Sequence, residues 1–212
     1  MIGEDLPVFT DPDPGMIDLP KERSDPGIAA RVHRAKGKAR LISAMKQEAA
    51  REILPALPEP GYHYHIVSNG KSDFWTWIPV IAGYMGTVEE FYASTWSLNR
   101  ANTTELLDLI DRGRIRKATV LTGLYFKRRE TAVYATLVEG LLRRGQRYRA
   151  LPIHAKISLL GNEEHHIVVE GSANWTHNPQ IEQYVITDDP EIYAFHRAWM
   201  EEVCRRKERT RR

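Results

Sequence analysis

Apolar side chains follow two spacings in this chain, short runs with the period of a strand and longer stripes with the period of a helix. From residue 62 onward the runs and stripes alternate, which indicates an α/β sheet covered by helices on both faces. Strands separated by helices favour parallel pairing, whereas the last three predicted strands follow one another directly and favour antiparallel pairing. The predicted strands are Tyr62–Val67, Glu90–Thr95, Lys117–Leu124, Tyr148–Leu160, Ile167–Val169 and Ile181–Ile186. The expected fold is a mixed, largely parallel central sheet with helices on both faces.

Capping residues indicate where the helices between these strands begin and end. Ser72 is a candidate N-cap, and Asn102 with Glu105 resembles a capping box. Asp189 followed by Pro190 predicts the start of the last helix. The predicted helices run from Ser72 to about Tyr84 (begun, kinked or interrupted by Pro79), from Asn102 to Gly113, over Glu130–Arg144, and from Asp189 with Ile192, Phe195, Trp199 and Val203 facing inward.

The first part of the chain has a different character. Residues 1–30 contain many Pro, Asp and Gly and show no apolar period, so they are predicted to be disordered or ordered only on contact. Residues 31–54 have helical spacing, and the three prolines within Pro55–Gly61 indicate a linker. We therefore expect an arm and helix over residues 1–58, one domain over 59–204, and a basic tail over 205–212.

Composition limits the function only weakly. The net charge is +2, so bulk charge does not by itself predict nucleic-acid binding. Basic residues are nevertheless clustered, and each cluster is either a phosphate contact or solvated surface. The clusters are Arg31–Arg40, Lys127–Arg129, Arg143–Arg149 and Arg205–Arg212.

Cysteine content and apolar runs indicate the cellular compartment of the protein. Cys204 is the one cysteine, so no disulfide forms within the chain, and this fits a reducing compartment. No apolar run approaches the ~18 residues of a membrane span. Residues 1–14 are acidic and Pro-rich, unlike a secretory signal. We expect a cytoplasmic protein that does not bind membranes.

Three short segments place chemically useful side chains near one another. His154 and Lys156 are two apart on a predicted strand and would project from the same face. The next strand turns back at Gly161-Asn162 and ends in Gly171-Ser172-Ala173-Asn174. A histidine beside a fixed cation, with hydroxyl and amide donors nearby, suits an anionic phosphoryl group. Glu182 on the following strand is placed to accept the second imidazole N–H.

This pattern resembles the HKD motif of the phospholipase D superfamily, over about Ile153–Gln183. It is most similar to small single-motif members encoded by phages and prophages. The resemblance implies that His154 is the nucleophile or acid, that Lys156, Ser172 and Asn174 bind phosphate, and that Glu182 orients His154. It also implies a phosphohistidine intermediate, a homodimer with two facing motifs, and no metal or other cofactor.

The sequence departs from that family pattern at two points. The family has an Asp five residues after the Lys, where this chain has Gly161 followed by Asn162. The spacer from Lys156 to Gly171 is longer than usual, which predicts a longer hairpin. A catalytically inactive member of the family therefore stays an alternative.

Other candidate sites are weaker. Gly70-Lys71-Ser72 lacks the first Gly of a phosphate-binding P-loop, since His65 stands there. His63 and His65 could join His165 or His166 around a metal, although ordinary strand histidines explain them as well. The segment from Tyr125 through Lys127, Arg128 and Arg129 follows a strand, where a basic and aromatic loop could contact a nucleic acid. Trp175 is a candidate pocket wall or dimer contact.

Taken together, these features predict a metal-independent phosphodiesterase, most simply a nuclease acting as a homodimer on DNA or RNA. The alternatives are a non-catalytic module on the same fold that binds nucleic acid, or a phage or host protein, and an enzyme that processes phospholipids. Fold alone does not choose among them.

Overall fold

The structure is a computed structural model that describes residues 38–68, 72–176 and 179–206, with side chains described from residue 45 onward. This part of the chain lies within one compact unit. The predictions for residues 1–37, Gly70, Lys71 and the tail beyond residue 206 fall outside the described residues. The helices are α1 Lys38–Ile53, α2 Trp77–Met85, α3 Arg100–Asp111, α4 Leu124–Arg129, α5 Thr131–Arg143 and α6 Pro190–Arg205.

Seven strands form one mixed sheet, which confirms the predicted α/β class. The strands are β1 His63–Ser68, β2 Val88–Thr95, β3 Ile115–Gly123, β4 Arg147–Leu151, β5 Ile157–Gly161, β6 His166–Gly171 and β7 Glu182–Asp188. Their order is β1-β7-β6-β5-β2-β3-β4. Only the β2–β3 and β3–β4 pairs are parallel in this sheet. The sheet is less parallel than predicted because β1 pairs with β7, and β5 with β2, both antiparallel.

The single strand predicted over Tyr148–Leu160 is wrong. The segment divides into β4, at an edge of the sheet, and β5, in its centre, joined by an irregular stretch over residues 152–156. Pro152 stands at the break, where it cannot donate to a strand ladder. His154 and Lys156 therefore lie between two strands and not within one.

Helix starts also differ from the predictions. Asp73, not Ser72, caps a 3₁₀ turn over Phe74–Thr76, and its carboxylate accepts from the Thr76 N–H at 3.0 Å. The α-helix α2 follows, with Pro79 in its first turn, where a missing N–H costs little. Asn99, not Asn102, caps α3, since its side chain accepts from the Asn102 N–H at 2.9 Å.

Two further helix predictions need correction. The segment after β3, predicted to be a loop, forms the short helix α4. Glu130 is not helical and separates α4 from α5. Asp189 caps α6 as predicted, through bonds from the N–H groups of Glu191 and Ile192. The side of α6 that faces the sheet carries Tyr193, His196 and Met200, while Phe195 is 68% exposed.

The two faces of the sheet bury separate apolar cores. Helices α1, α2, α3 and α5 cover one face, together with inward side chains such as Phe91 and Val169. Helix α6 covers the other face, where Tyr193 and Met200 pack against Tyr92 and Val168. Alternating side chains of one strand thus enter different cores, as strand geometry requires.

Helix α1 packs on the sheet domain. Leu54, just past the end of α1, is completely buried, and its carbonyl accepts from the Tyr84 hydroxyl at 2.8 Å. The domain boundary at residue 58 stays a prediction. Within the described ranges, no helix combines the length and apolar character needed to cross a membrane.

Gly161, which stands where the resembled family has an Asp, lies under α6. Gly161 ends β5 and begins the predicted turn, in which the Asn162 N–H donates to the His165 carbonyl at 3.0 Å. A Cβ at Gly161 would collide with the phenol of Tyr193, including its Cζ at 2.8 Å. Because the Tyr193 ring fills this space, no larger side chain fits there without rearrangement.

Candidate functional site

The irregular stretch between β4 and β5 crosses one end of the sheet. Strand β4 ends beside the end of β3, where Leu151 pairs with Gly123. Strand β5 begins beside the end of β2, where Ile157 pairs with Ser94. Residues 152–156 therefore run past the carboxyl ends of β3 and β2, the position where ligands bind in open α/β sheets.

Hydrogen bonds hold this crossing stretch against the sheet. The Ser94 hydroxyl donates to the Ala155 carbonyl at 2.8 Å, and the Gly171 N–H donates to the Lys156 carbonyl at 3.2 Å. The stretch is thereby fixed to β2 on one side and to β6 on the other. The side chain of His154 stays exposed, while Lys156 is only 7% exposed.

His154 and Lys156 come together as predicted, although by a different route. The Lys156 ammonium donates to the His154 carbonyl at 2.9 Å and lies 2.9 Å from Nδ1 of the same residue. The lysine thus folds back toward the histidine instead of projecting beside it from a strand. An exposed imidazole with a cation at hydrogen-bonding distance is suited to an anionic ligand.

The environment of Lys156 lowers the pKa of its ammonium group. Burial lowers the pKa of the ammonium group, and the nearby carboxylate of Glu182 opposes part of this effect. Burial acts this way because removing an ion from water penalises its charged form. A bound phosphate would add negative charge beside the ammonium group and would raise its pKa again.

Glu182 makes a contact that the sequence did not predict. Its carboxylate accepts a short hydrogen bond from the Ser172 hydroxyl, and the Gln183 N–H donates to the same hydroxyl at 3.0 Å. Glu182 is therefore linked to Ser172 and faces Lys156. Its predicted role in orienting His154, and the predicted phosphate contact of Ser172, stay predictions.

Asn174 is positioned by its two neighbours. Ala173 and Trp175 on either side of it are buried in the core, while Asn174 is partly exposed. Trp175 bridges to Leu98, and its carbonyl accepts from the side chain of Asn102 at 2.9 Å. Trp175 itself packs in the core, with its ring 4.7 Å from Trp75. It is therefore not the dimer contact that its position in the sequence suggested.

A tryptophan that sequence reasoning missed connects these parts. The Trp96 ring lies 5.7 Å from the His154 ring, between centroids, and stacks on Tyr125 at 4.7 Å with the planes 4° apart. Gly123 allows this packing, because a Cβ there would lie 2.6 Å from Trp96. Trp96 directly follows β2, so the rule that ligands bind beyond strand ends was the signal that could have found it.

A groove of about 350 Å³ opens beside Trp96. Its walls come from the loop after β2, the start of α3, helix α4 and the segment after β6. Its lining residues include Trp96, Arg100, Tyr125, Arg129, Glu130 and Asn174. We call this feature the Trp96 groove. Asn174 lines the groove and His154 contacts its Trp96 wall, so both belong to one surface.

The predicted nucleic-acid contacts on α4 point in different directions. Arg129 lines the Trp96 groove, and its guanidinium lies 5.6 Å from the Tyr125 ring centroid. Lys127 lies instead over the Tyr134 ring, at 5.7 Å. Arg128 is exposed on the same helix and does not line the groove.

Gly171 packs closely against β7. A Cβ at this position would lie 2.7 Å from the Tyr184 ring and 2.8 Å from the Gln183 carbonyl. This close packing against β7 therefore requires a glycine.

The metal alternative gains no support from the histidines. His165 pairs through Nδ1 with Asp188 at 2.7 Å, and His166 packs edge-on against Tyr193. Within residues 38–206, apart from the short undescribed gaps, no group of three potential metal ligands comes together.

The basic cluster at Arg143–Arg149 is largely paired with protein groups. Arg144 binds Asp111 at 2.6 Å, and Arg147 forms an ion pair with Glu201. Arg149 donates to the carbonyl of Val203 at the end of α6. These pairings favour a structural explanation for this cluster over a phosphate contact.

The chain is similar to known proteins in fold and not in sequence. No protein-family model matches the sequence. No curated protein matches it either. Similarity of fold without detectable similarity of sequence is expected for distant or converged proteins, and it does not identify a function.

Two solved structures are similar in fold. One is a phospholipase D family member, Nuc from Salmonella typhimurium, with 15% identity and a TM-score of 0.51 over 66% of this chain and 92% of that chain. The other is polyphosphate kinase from Porphyromonas gingivalis, with 16% identity and a TM-score of 0.53 over 71% of this chain. This chain spans only 27% of the kinase. The described part of the chain therefore has a phospholipase D-like fold.

Proposed function

We propose that this chain is a metal-independent phosphodiesterase that cleaves nucleic acid through a phosphohistidine intermediate in a homodimer. The observation that carries the proposal is the exposed imidazole of His154 with the buried Lys156 ammonium 2.9 Å from its ring. A nucleophile next to a fixed cation, on a phospholipase D-like fold, suits attack on a phosphodiester.

The chemistry has two steps. A ring nitrogen of His154 attacks phosphorus, forming a P–N bond while the bond to the leaving alcohol oxygen breaks. Water then attacks the same phosphorus, the P–N bond breaks, and His154 is regenerated. Lys156 stabilises the charge on the phosphoryl oxygens in both steps, and Asn174 donates to one of them.

The leaving oxygen needs a proton in the first step, which the attacking imidazole does not provide. We propose that His154 of a second copy donates this proton and later accepts one from the attacking water. Val67 and Ile181 next to Glu182 are 73% and 77% exposed, and they offer apolar surface for that copy. Glu182 pairs with Ser68 of β1, so Ile181 and Val67 are each the chain neighbour of one residue of this pair.

The experiment is cleavage of oligonucleotides and bis(p-nitrophenyl) phosphate by the full chain in EDTA. His154→Ala is expected to lower kcat/KM by roughly 10³-fold or more, as loss of a nucleophile does. His65→Gln is the matched control, because His65 is exposed on β1. Reactions quenched in alkaline detergent, which preserves the acid-labile P–N bond, should leave label from a strand ³²P-labelled at its internal phosphates on the wild-type protein and none on His154→Ala.

Two results would overturn the proposal. Full activity of His154→Ala excludes the nucleophile, and a strictly monomeric active protein in light scattering excludes the second copy. Oligonucleotide binding without cleavage, unchanged by His154→Ala, would favour a non-catalytic binding module instead.

A further inference from the structure

The Trp96 groove combines an aromatic platform with cationic walls beside the candidate catalytic residues. We propose that it binds the nucleotide adjacent to the scissile phosphate and restricts the substrate to single strands. This inference rests on the proposed function and adds a substrate class to it.

The aromatic platform is held rigidly. Trp96 and Tyr125 are stacked almost in parallel, and Arg129 both packs over the Tyr125 ring and donates to its hydroxyl at 2.9 Å. Tyr125 is 43% exposed, Trp96 is partly exposed and Arg129 is exposed, so a flat ring can reach this stack of three side chains from the groove. Stacking of a base on such side chains strengthens binding whatever the identity of the base.

The walls of the groove favour a phosphate. Arg100 and Arg129 stand on its α3 and α4 sides. Glu130 also lines the groove and lies 4.0 Å from Arg129, which offsets part of the positive charge. Among the described residues Arg100 has no carboxylate partner, so one full positive charge stays available for an anion.

The side-chain oxygen of Asn174, which lines the groove, is buried and has no hydrogen-bond partner among the described residues. Oδ1 of Asn174 is inaccessible to solvent and makes no hydrogen bond to any described residue. Buried polar atoms without partners are rare in native proteins, so rotation of this amide toward a donor in the groove is favourable. The exocyclic amine or ring N–H of a base, or a sugar hydroxyl, is a donor of this kind.

A stacking platform favours an unpaired base. In a duplex the flat faces of bases are covered by their neighbours, and a base must leave the stack before a side chain can stack on it. A groove of about 350 Å³ holds a small ligand of one-nucleotide size. A flexible single strand can place one nucleotide here while its next phosphate lies at His154.

The test measures binding of a fluorescein-labelled single-stranded oligo-dT to the full chain carrying His154→Ala, so that the probe is not cut. Tyr125→Ala, Arg129→Ala and Arg100→Ala are each expected to weaken binding about 5-fold to 100-fold, as expected for one lost stacking or charged contact. Arg128→Ala is the control on the same helix, with an expected change below about 2-fold because Arg128 does not line the groove. A duplex of the same length is expected to bind at least about 10-fold more weakly.

The outcomes separate the groove from the chemistry. Equal losses for Arg128→Ala and the groove variants would overturn the groove and indicate diffuse attraction to the basic helix. Equal affinity for strand and duplex would overturn it as well. Failure of the wild-type chain to cleave bis(p-nitrophenyl) phosphate, together with selective losses in the groove variants, would reject the proposed catalysis and keep the nucleotide site.

Discussion

The ammonium group of Lys156 lies 2.9 Å from Nδ1 of His154 while its own side chain is almost completely buried. A lysine in water keeps its charge to high pH, whereas burial lowers the pKa of this one below its ordinary value of 10.5. The exposed His154, which is proposed to react, thus lies beside a cation. The charge of that cation changes at a pH that experiments can reach.

The first prediction concerns that pH dependence. If charged Lys156 is required, kcat/KM falls as the pH rises through the lowered pKa, so the alkaline limb lies below pH 10.5. Lys156→Arg keeps a cation that does not titrate, and the limb should move to higher pH even if the maximal rate drops. Rates on bis(p-nitrophenyl) phosphate between pH 7 and 11 measure this. An unchanged limb in the arginine variant would assign it to another group.

The second prediction concerns Gly161, which stands where the resembled family has Asp. Gly161→Asp should lower the free energy of unfolding by about 1–3 kcal/mol, because the new side chain meets the Tyr193 ring. Activity per folded molecule should stay the same, since Gly161 is about 16 Å along β5 from Lys156. Gly83→Ala is the control, because its Cβ would meet only Arg51, at 3.9 Å. Urea unfolding and kcat measure the two effects, and a lower kcat at normal stability would contradict the separation.

The third prediction concerns the ion pair between α6 and β4. The hydrogen bond from Arg147 lowers the pKa of Glu201 from 4.5 to about 2. A carboxylate with a lowered folded-state pKa stabilises the fold fully above pH 4.5, and this stability is lost as the pH falls toward 2. The stability difference between wild type and Glu201→Gln should therefore be largest above pH 4.5 and shrink below it.

Glu202 provides the control for that experiment, since its contact with Arg206 is on the exposed side of the same helix. Glu202→Gln should change stability little at any pH, as exposed pairs usually do. Unfolding followed by circular dichroism at several pH values gives both comparisons. Parallel curves for wild type and Glu201→Gln would contradict the assignment.

The fourth prediction tests whether α1 is part of the folded domain. Leu54→Ala should cost about 2–5 kcal/mol of stability, because Leu54 is completely buried beyond the end of α1. Ile53→Ala, at the exposed neighbouring position, should have little effect. Equal stabilities for the two variants would show that α1 packs only loosely on the sheet.

Much of the fold was readable from local pattern. The strands β1, β2, β3 and β7 lie within a few residues of their predicted positions, because each is an apolar run bounded by turn residues. The cap at Asp189 was predicted because its Asp-Pro signature is local. Pairing was not readable in the same way, since the contact of β1 with β7 joins segments more than 110 residues apart.

The site shows the same division. The motif located His154, Lys156, Ser172 and Asn174, all of which the fold brings to one end of the sheet. The hydrogen bond between Ser172 and Glu182 and the stacking of Trp96 on Tyr125 depend on tertiary packing. No spacing in the sequence encodes those contacts, and they were therefore missed.

The crossing stretch after β4 has a further consequence. From Leu151 to Ile157 the chain must pass three strand spacings, about 14 Å, while six residue steps reach only about 20 Å when fully extended. So short a connection has little conformational freedom, and the backbone of His154 near its middle can move only a short distance. The spacing of the strands thus sets the position of the imidazole. We expect insertions in this stretch to be tolerated far less than insertions in the hairpin at Asn162.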